Sequence, residues 1–369
     1  MTTFTTGNPI IDFFYILFNG ISEVPLISSA ITGILILAGT TLASRRASIM
    51  MITSGLTGSA VAIILGADYN MVTMGLFGYN SILSGMAFWS GPFSKSSRTT
   101  FVYSIFVAAI TAIILMSVTH LLRDLFVIDG KGTAIPALTS AFVFTTWFLM
   151  FAGQRIRLGI GLRTAEIDYE YVLKSQGKIE RVEKPKPNEP SSNWTVAEFF
   201  KSTLNGVSQI TFISNWKTGI FWVVGLSLSF EIAPVLAGNP SNWWSNAYSS
   251  SSNPLFLAGA MALWGSGIGL AVSVLMKVPN SESKSGVHGF NPVLVMIALT
   301  SFLPLSLITF LYATFAAISS CFVTYFLQNY LSKWGLPTLT GPFVFTTWGF
   351  IMAVYGFHNI PAGVGWARP

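Results

Sequence analysis

Long runs of apolar residues alternate with short polar segments along the whole chain. In the first half the runs lie at about 8–22, 25–44, 47–66, 71–91, 99–121 and 138–154. In the second half they lie at about 196–212, 217–238, 254–276, 286–303, 305–331 and 338–356. Because about 20 helical residues span the hydrocarbon core of a bilayer, most of these runs are long enough to cross a membrane. The pattern predicts an all-α integral membrane protein.

The first run of each half is shorter and more polar than the others. The run at 8–22 contains Asp12, and the run at 196–212 contains several polar residues. A segment of this length, interrupted by an acid, does not comfortably cross a bilayer. We therefore predict five membrane-spanning helices and one re-entrant half-helix in each half.

An internal repeat relates the two halves. The matching pairs of segments are 13–24 with 199–210, 78–80 with 289–291, and 136–147 with 337–348, of which the last pair is identical at nine of twelve positions. An odd number of crossings per repeat places the two halves upside down relative to each other, a plan common in transporters. The predicted divisions are a first membrane repeat at 1–156, a polar linker at 157–195 and a second membrane repeat at 196–369.

Charge is too scarce for a protein that is soluble in water. Charged residues make up 9% of the 369 residues and apolar residues 52%, against about 25% charge in an average soluble protein. The net charge of +6 arises from basic residues in short loops, which act as topology signals, so we expect no nucleic acid partner. These loops predict a multi-pass protein of the cell membrane, whether plasma or inner, with the linker in the cytoplasm and both termini outside.

The sequence lacks the motifs of membrane enzymes. It contains no HExxH, GxSxG or Walker motif, and its three histidines and single cysteine, Cys321, lie far apart. We therefore expect no catalytic residues, no metal site and no cofactor.

Polar side chains stand at equivalent positions of the two repeats. Glu23 and Gln209 each close a predicted half-helix, where backbone carbonyls lack intrahelical partners. Thr139 and Thr340 each follow a proline by three residues at the predicted start of a helix. If the threonines meet across the repeat axis, they form a central polar constriction. The simpler interpretations are an interfacial carboxylate at Glu23 and ordinary chemistry of a helix N-terminus at the threonines.

Some of the many aromatic residues also occupy equivalent positions. The pairs are Tyr79 with Phe290, Phe142 with Phe343, and Leu26 with Phe212. Apolar rings on opposing walls would form a slit that admits a planar molecule and disfavours hydrated ions, which need replacement oxygens.

The motifs at these positions resemble those of the urea transporter family. The matching segments are 23–26 running to Gly33, 209–212 running to Asn215 and Gly219, 75–80 with Leu83, 286–291 with Leu294, 135–139, and 336–340. The resemblance covers nearly the whole chain apart from the linker and the tails. It implies a homotrimer with one pore per subunit and passive, channel-like flow of urea.

The resemblance also implies which residues line the urea pore. By this resemblance, four side chains are expected to supply oxygens to the N–H groups of urea: Glu23, Gln209, Thr139 and Thr340. The remaining lining residues are Val24, Leu26, Phe77, Tyr79, Leu83, Ile210, Phe212, Phe290 and Leu294. The sequence departs from the family pattern at three positions. Glu23 stands in place of a glutamine, Leu26 in place of a phenylalanine, and His288 in place of an aromatic residue. The family orientation, with both termini cytoplasmic, disagrees with the loop charges.

Two other functions fit the same sequence. A proton-coupled transporter, or one for other small amides or ammonia, would use Glu23, with Glu231 as a second acid. A membrane scaffold or sensor would show no permeability and would tolerate changes at Thr139 and Thr340.

Overall fold

The computed structural model describes residues 5–94, 96–125, 127–128, 131–132, 135–156, 194–229 and 257–360. Nearly all of the predicted linker at 157–195 lies outside these ranges, and so does Glu231. Several charges used for the predicted orientation, including Lys95, Asp129 and Arg368, also lie outside the described residues.

The regular secondary structure of the described residues is helical except for one antiparallel pair of two-residue strands. The helices before the linker are α1 (Pro9–Ser22), α2 (Ala30–Ala43), α3 (Arg45–Ile64), α4 (Tyr69–Thr73), α5 (Gly78–Trp89), α6 (Arg98–Leu125) and α7 (Ser140–Ile156). Those after it are α8 (Val196–Ser208), α9 (Trp216–Ser227), α10 (Leu257–Leu275), α11 (Asn280–Ser285), α12 (Phe290–Phe302), α13 (Leu307–Leu331) and α14 (Gly341–Val354). Short 3-10 segments follow α8 and α13 at Gln209–Thr211 and Ser332–Trp334, and strands β1 (Val127–Ile128) and β2 (Lys131–Gly132) pair antiparallel.

Four helices within the described ranges are long and apolar enough to cross a membrane. They are α3, α6, α10, and α13 together with its 3-10 extension. Five further apolar helices have only 10–17 residues, namely α1, α2, α12, α14 and the first part of α7. The predicted crossing at 71–91 contains a turn between α4 and α5, whereas four other predicted crossings hold one long helix each. The count of five crossings per half stays a prediction.

Side-chain caps fix where the two predicted half-helices begin. Asn8 accepts a hydrogen bond from the amide of Ile10 ahead of Pro9, the first residue of α1. Thr195 and Glu198 form a reciprocal capping box at the start of α8. These contacts satisfy amides that have no partner within the helix and so define both start points.

The two halves pack directly against each other through α2 and α9. The hydroxyl of Thr32 donates to the carbonyl of Gly225, and the hydroxyl of Thr218 donates to the carbonyl of Gly39, each over 2.8 Å. A Cβ atom on Gly39 would lie 2.6 Å from the side chain of Phe221, so only glycine allows this approach. Small residues at the contact thus bring the two backbones close enough for reciprocal hydrogen bonds.

Large apolar side chains cover the outer faces of the two longest helices. Val102, Phe106 and Ile113 project from α6, and Phe315 and Phe322 project from α13, all of them exposed. A water-soluble surface rarely carries so many neighbouring large apolar groups, whereas the hydrocarbon of a bilayer favours them. These faces fit contact with lipid.

Candidate functional site

Two buried threonines from opposite halves meet at the centre of the molecule. The Oγ1 atoms of Thr139 and Thr340 lie 2.6 Å apart, and either one is able to donate the hydrogen bond. Their helices begin one residue later, at Ser140 and Gly341. The structure therefore brings together the two threonines whose contact was the condition for a central polar constriction.

Strained backbone surrounds this contact. Leu138 and Leu339, which directly precede the threonines, have φ values of 51° and 52°. Leu26 and Phe212, which follow the half-helices α1 and α8, have φ values of 65° and 61°. A bulky residue in the left-handed region is strained by about 1–3 kcal/mol and persists only where the surrounding structure enforces it. The strain marks these four positions as held in place by their neighbours.

An asparagine fixes the turn before Thr139. The Nδ2 atom of Asn80 donates to the carbonyl of Leu138 over 3.0 Å, and its Oδ1 atom accepts from the amide of Phe142 over 2.9 Å. The hydroxyl of Tyr79 also donates to the carbonyl of Leu138, over 2.7 Å. Asn80 thus satisfies one free amide at the start of α7 and, together with Tyr79, locks the preceding carbonyl.

Asn291 holds the turn before Thr340 in the same way. Its Nδ2 atom donates to the carbonyl of Leu339 over 3.3 Å, and its Oδ1 atom accepts from the amide of Phe343 over 3.2 Å. The position equivalent to Tyr79 is Phe290, which carries no hydroxyl. The carbonyl of Leu339 therefore receives one hydrogen bond from the described residues, where that of Leu138 receives two.

Two tryptophans tie the proline turns across the two halves. The indole N–H of Trp147 donates to the carbonyl of Pro337 over 2.8 Å, and that of Trp348 donates to the carbonyl of Pro136 over 2.9 Å. Each tryptophan lies at the end of the repeated segment that begins with the matching proline. The reciprocal bonds set the distance between the turns that carry the central threonines.

Glu23 caps the C-terminal end of α1 in a buried position. It is 3% exposed, and its carboxylate accepts a hydrogen bond from the hydroxyl of Ser28. Its backbone carbonyl accepts from the amide of Leu26 over 2.8 Å. The burial rules out the simple interpretation of Glu23 as a carboxylate lying in bulk water.

Gln209 takes the equivalent place at the end of α8 with a different hydrogen-bonding pattern. Its Nε2 atom donates to the carbonyl of Ser285 over 3.1 Å, and the hydroxyl of Ser214 donates to the same carbonyl over 2.8 Å. An amide oxygen is an acceptor with two lone pairs, so Gln209 has an acceptor group in addition to the N–H that it donates to Ser285. This amide oxygen is able to receive an N–H group.

Glycines allow the half-helices to approach the segments that precede α5 and α12. Gly75 has a φ of 90°, and a Cβ atom there would lie 2.3 Å from the backbone of Asn19. Gly286 has a φ of 81°, and a Cβ atom there would lie 2.3 Å from the backbone of Gly206. Both the backbone conformation and the close approach require glycine at these two turns.

The rings do not all lie on an open slit. Phe212 makes edge contacts with Phe142 and Phe93 at centroid distances of 6.2 and 5.8 Å. Phe142 and Phe343 are fully buried. Leu26 packs against the same core without a ring. The aromatic contact at Phe212 therefore joins a ring of the second half to two rings of the first.

The remaining predicted lining residues are apolar apart from the hydroxyl of Tyr79, and most are fully buried. Those with little or no exposure are Val24, Phe77, Tyr79, Leu83, Ile210 and Leu294, whereas Phe290 is half-buried. Glu23 is the one carboxylate among the thirteen predicted lining residues, and the described part of the chain contains no group of three metal-ligating side chains.

The charged groups near the start of α8 pair with each other at the surface. The Nζ atom of Lys284 lies 2.7 Å from a carboxylate oxygen of Glu198. This hydrogen bond, together with those from Thr195, lowers the pKa of Glu198 to about 2. The carboxylate therefore stays ionised at any physiological pH, and its charge is balanced locally.

Sequence reasoning did not select the residues that hold the threonines. Four of them lie in the repeated segments, where their recurrence in both halves was the one available signal: Asn80, Asn291, Trp147 and Trp348. Ser28, which bonds Glu23, carried no such signal. Recurrence of a polar or indole side chain at equivalent positions could have identified the first four.

Comparisons with known proteins agree on one kind of protein. A family model described as urea transporter matches residues 1–154, 127–238 and 252–366. The chain is similar to urea transporter 1 of Capra hircus, with 23% identity over 350 residues that cover 92% of this chain and 77% of the relative. It is also similar to urea transporter 1 of Rattus norvegicus, with 24% identity over 349 residues and the same coverage of both chains.

Proposed function

Since the chain belongs to the urea transporter family, we propose that it conducts urea passively through a narrow pore between its two halves. Membership of a family of membrane transporters makes the protein a transporter of urea across membranes and not an enzyme. The passive mode and the residues that line the pore are our proposal. The observation that carries it is the buried contact between Thr139 and Thr340.

The hydrogen-bonding capacity of this contact suits a small neutral amide. Each threonine hydroxyl has one donor and two acceptor positions. One hydrogen lies between Thr139 and Thr340, so the pair retains one donor and three acceptor positions. Urea is planar, has one carbonyl acceptor and four N–H donors, and must lose its hydration shell to pass a buried constriction. The threonine oxygens replace part of that shell, and the neighbouring apolar groups exclude ions.

We further propose that Glu23 and Gln209 accept N–H groups of urea next to the threonines, one on each side. Both residues close half-helices at equivalent points of the two halves. The hydrogen bonds to Ser28 and Ser285 give their side chains fixed orientations. With the rings around Phe212, they complete a path whose oxygens alternate with apolar walls.

The two halves form inverted repeats in this proposal, at 1–156 and 196–369 on either side of the linker. Each repeat supplies five membrane-spanning helices and one re-entrant half-helix. Helices α1–α7 and α8–α14 follow the same order of short and long elements. A two-fold relation between the halves is supported by two reciprocal sets of hydrogen bonds. Thr32 and Thr218 each donate to a glycine carbonyl of the opposite half, and Trp147 and Trp348 each donate to a proline carbonyl of the opposite half.

The assembly proposed is a homotrimer in the cell membrane, multi-pass, with one pore per subunit. The exposed apolar faces of α6 and α13 provide surface for contact with lipid or with other subunits. Native mass spectrometry of the protein in detergent would measure the number of subunits directly.

Flux through proteoliposomes tests the function. Purified protein should raise urea permeability well above that of protein-free vesicles, and urea should stop at equal concentrations inside and outside with or without a pH gradient. Accumulation above equilibrium under a proton gradient would refute passive flow. An absence of urea permeability would refute transport and favour a scaffold or sensor. Formamide, acetamide and ammonia, measured in the same vesicles, rank the substrates.

A further inference from the structure

The carbonyls that precede the two central threonines differ in how many hydrogen bonds they receive. The carbonyl of Leu138 accepts from Tyr79 Oη over 2.7 Å and from Asn80 Nδ2 over 3.0 Å. The carbonyl of Leu339 accepts from Asn291 Nδ2 over 3.3 Å and from no other described residue. Both leucines are buried, with exposures of 1% and 4%. The carbonyl of Leu138 therefore has both lone pairs occupied by donors. The carbonyl of Leu339 has one lone pair without a donor among the described residues.

A single substitution between the repeats causes this difference. Tyr79 and Phe290 stand at equivalent positions, each directly before the asparagine that holds its turn. An asparagine makes the same pair of hydrogen bonds in each half, although both are about 0.3 Å longer in the second half, and only the first half adds a tyrosine hydroxyl. In the second half no hydroxyl occupies the corresponding place, and the half-buried ring of Phe290 leaves the carbonyl of Leu339 without a second donor among the described residues.

A buried carbonyl with one long hydrogen bond is a strong acceptor for a solute that has lost water. A buried acceptor without a full set of partners is unfavourable, and an incoming N–H group relieves this. The carbonyl of Leu339 belongs to the residue next to Thr340, whose hydroxyl lies at the constriction. Of the two carbonyls next to the threonine pair, only that of Leu339 in the second half is thus able to accept an N–H group from a planar amide.

We infer that the carbonyl of Leu339 accepts an N–H group of the permeating amide, and that Tyr79 withholds the equivalent carbonyl of Leu138 from it. This inference rests on the proposed function and specifies it further. Tyr79 and Phe290 are then the residues that determine on which side of the threonine pair the solute is held.

Exchange of the two residues tests the inference. Phe290→Tyr places a hydroxyl where it donates to the carbonyl of Leu339, and urea and formamide permeability should fall about five- to tenfold. Tyr79→Phe frees the carbonyl of Leu138, and permeability at low urea concentration should rise about two- to fivefold. The double variant Tyr79→Phe/Phe290→Tyr moves the capped carbonyl to the other half and should return to within about twofold of the wild type. Stopped-flow light scattering of proteoliposomes measures all four proteins.

A matched control separates the site from the general loss of a tyrosine bond. Tyr312 donates to the carbonyl of Phe350 over 2.7 Å, the same length as the bond from Tyr79, but in α13 away from the threonines. Tyr312→Phe should leave permeability unchanged. Tyr79→Phe only removes an oxygen, so it tests the inference even where Phe290→Tyr fails to fold.

The outcomes distinguish the inference from the function on which it rests. A wild-type protein that passes no urea would overturn the proposed function and this inference with it. A wild-type protein that passes urea, with both single variants within twofold of it as Tyr312→Phe is, would overturn this inference alone. Opposite changes in the two single variants, reversed together in the double variant, would support it.

Discussion

Removal of one central hydroxyl perturbs the proposed constriction with the least change in shape. Thr340→Val replaces a hydroxyl by a methyl group of similar size. It deletes the 2.6 Å hydrogen bond to Thr139 and leaves the Thr139 hydroxyl buried without that partner. The variant therefore changes polarity at the constriction while the packing around it is retained.

The magnitude of the effect on stability follows from the burial of both threonines. An orphaned buried hydroxyl costs about 1–3 kcal/mol, whereas removal of both partners of a hydrogen bond is close to neutral. Thr340→Val should therefore lower the free energy of unfolding by about 1–3 kcal/mol. The double variant Thr139→Val/Thr340→Val should be less destabilised than the sum of its two single variants.

The effect on flux should have the opposite pattern. If urea loses one hydrogen bond of about 1–1.5 kcal/mol at the highest barrier, its permeability falls about five- to tenfold, since about 1.4 kcal/mol corresponds to a factor of ten. The double variant Thr139→Val/Thr340→Val loses both threonine hydroxyls and should conduct less urea than either single variant. Stability recovers in the double variant while conduction does not.

Two assays and one control variant measure these expectations. Stopped-flow light scattering gives urea permeability per reconstituted protein, and thermal unfolding in detergent gives relative stability. Thr346→Val is the matched control because the hydroxyl of Thr346 is buried in the same helix without a hydrogen-bond partner among the described residues. It should leave flux unchanged and should not lower stability, since it removes a buried hydroxyl that has no described partner.

One result would refute the reasoning outright. If Thr340→Val folds and conducts urea as fast as the wild type and the Thr346 control, the threonine pair does not form the constriction. An additive loss of stability in the double variant would show instead that the two hydroxyls act on separate partners.

Three further predictions follow from the surroundings of the threonines. Gln209→Ala removes the oriented amide at Ser285 and should weaken the preference among urea, formamide and acetamide, as measured by their permeability ratios; unchanged ratios would mean that this oxygen lies outside the path. Trp348→Phe leaves the carbonyl of Pro136 without its 2.9 Å partner and should destabilise the protein by about 1–3 kcal/mol in thermal unfolding; an unchanged midpoint would show that the bond is dispensable. Gly286→Ala places a Cβ atom 2.3 Å from the neighbouring backbone and should abolish accumulation of folded protein, measured by size-exclusion chromatography, and a monodisperse peak at wild-type yield would contradict it.

The repeat made part of the site predictable from the sequence. Equivalent polar residues at Glu23 and Gln209 and at Thr139 and Thr340 were chosen because a polar side chain in an apolar run needs a partner or a cavity. The structure places the first pair at the ends of α1 and α8 and the second pair in contact. Periodicity also predicted an all-helical chain, and four of the described helices are long and apolar enough to cross a membrane.

The features that hold the site depend on tertiary structure and left little trace in the sequence. Positive φ values usually require glycine, yet Leu138 and Leu339 adopt them because Asn80 and Asn291 hold the adjoining carbonyls. A leucine carries no sign of that constraint. The pairing of indole groups with proline carbonyls of the opposite half is equally invisible until the two turns are placed side by side.

The two halves of the site share one framework but differ in their acceptors. In the first half Glu23 contributes carboxylate oxygens, while Tyr79 occupies the carbonyl of Leu138. In the second half Gln209 contributes a single amide oxygen, and the carbonyl of Leu339 keeps a free position. In the proposed path, each half thus offers an acceptor where it lacks another, so that the oxygens offered to a passing amide are balanced in number while their positions differ. A pore for downhill flow requires an unbroken series of hydrogen-bond partners, but it does not require the two halves to supply them from equivalent atoms. The different acceptors of the two halves agree with that requirement.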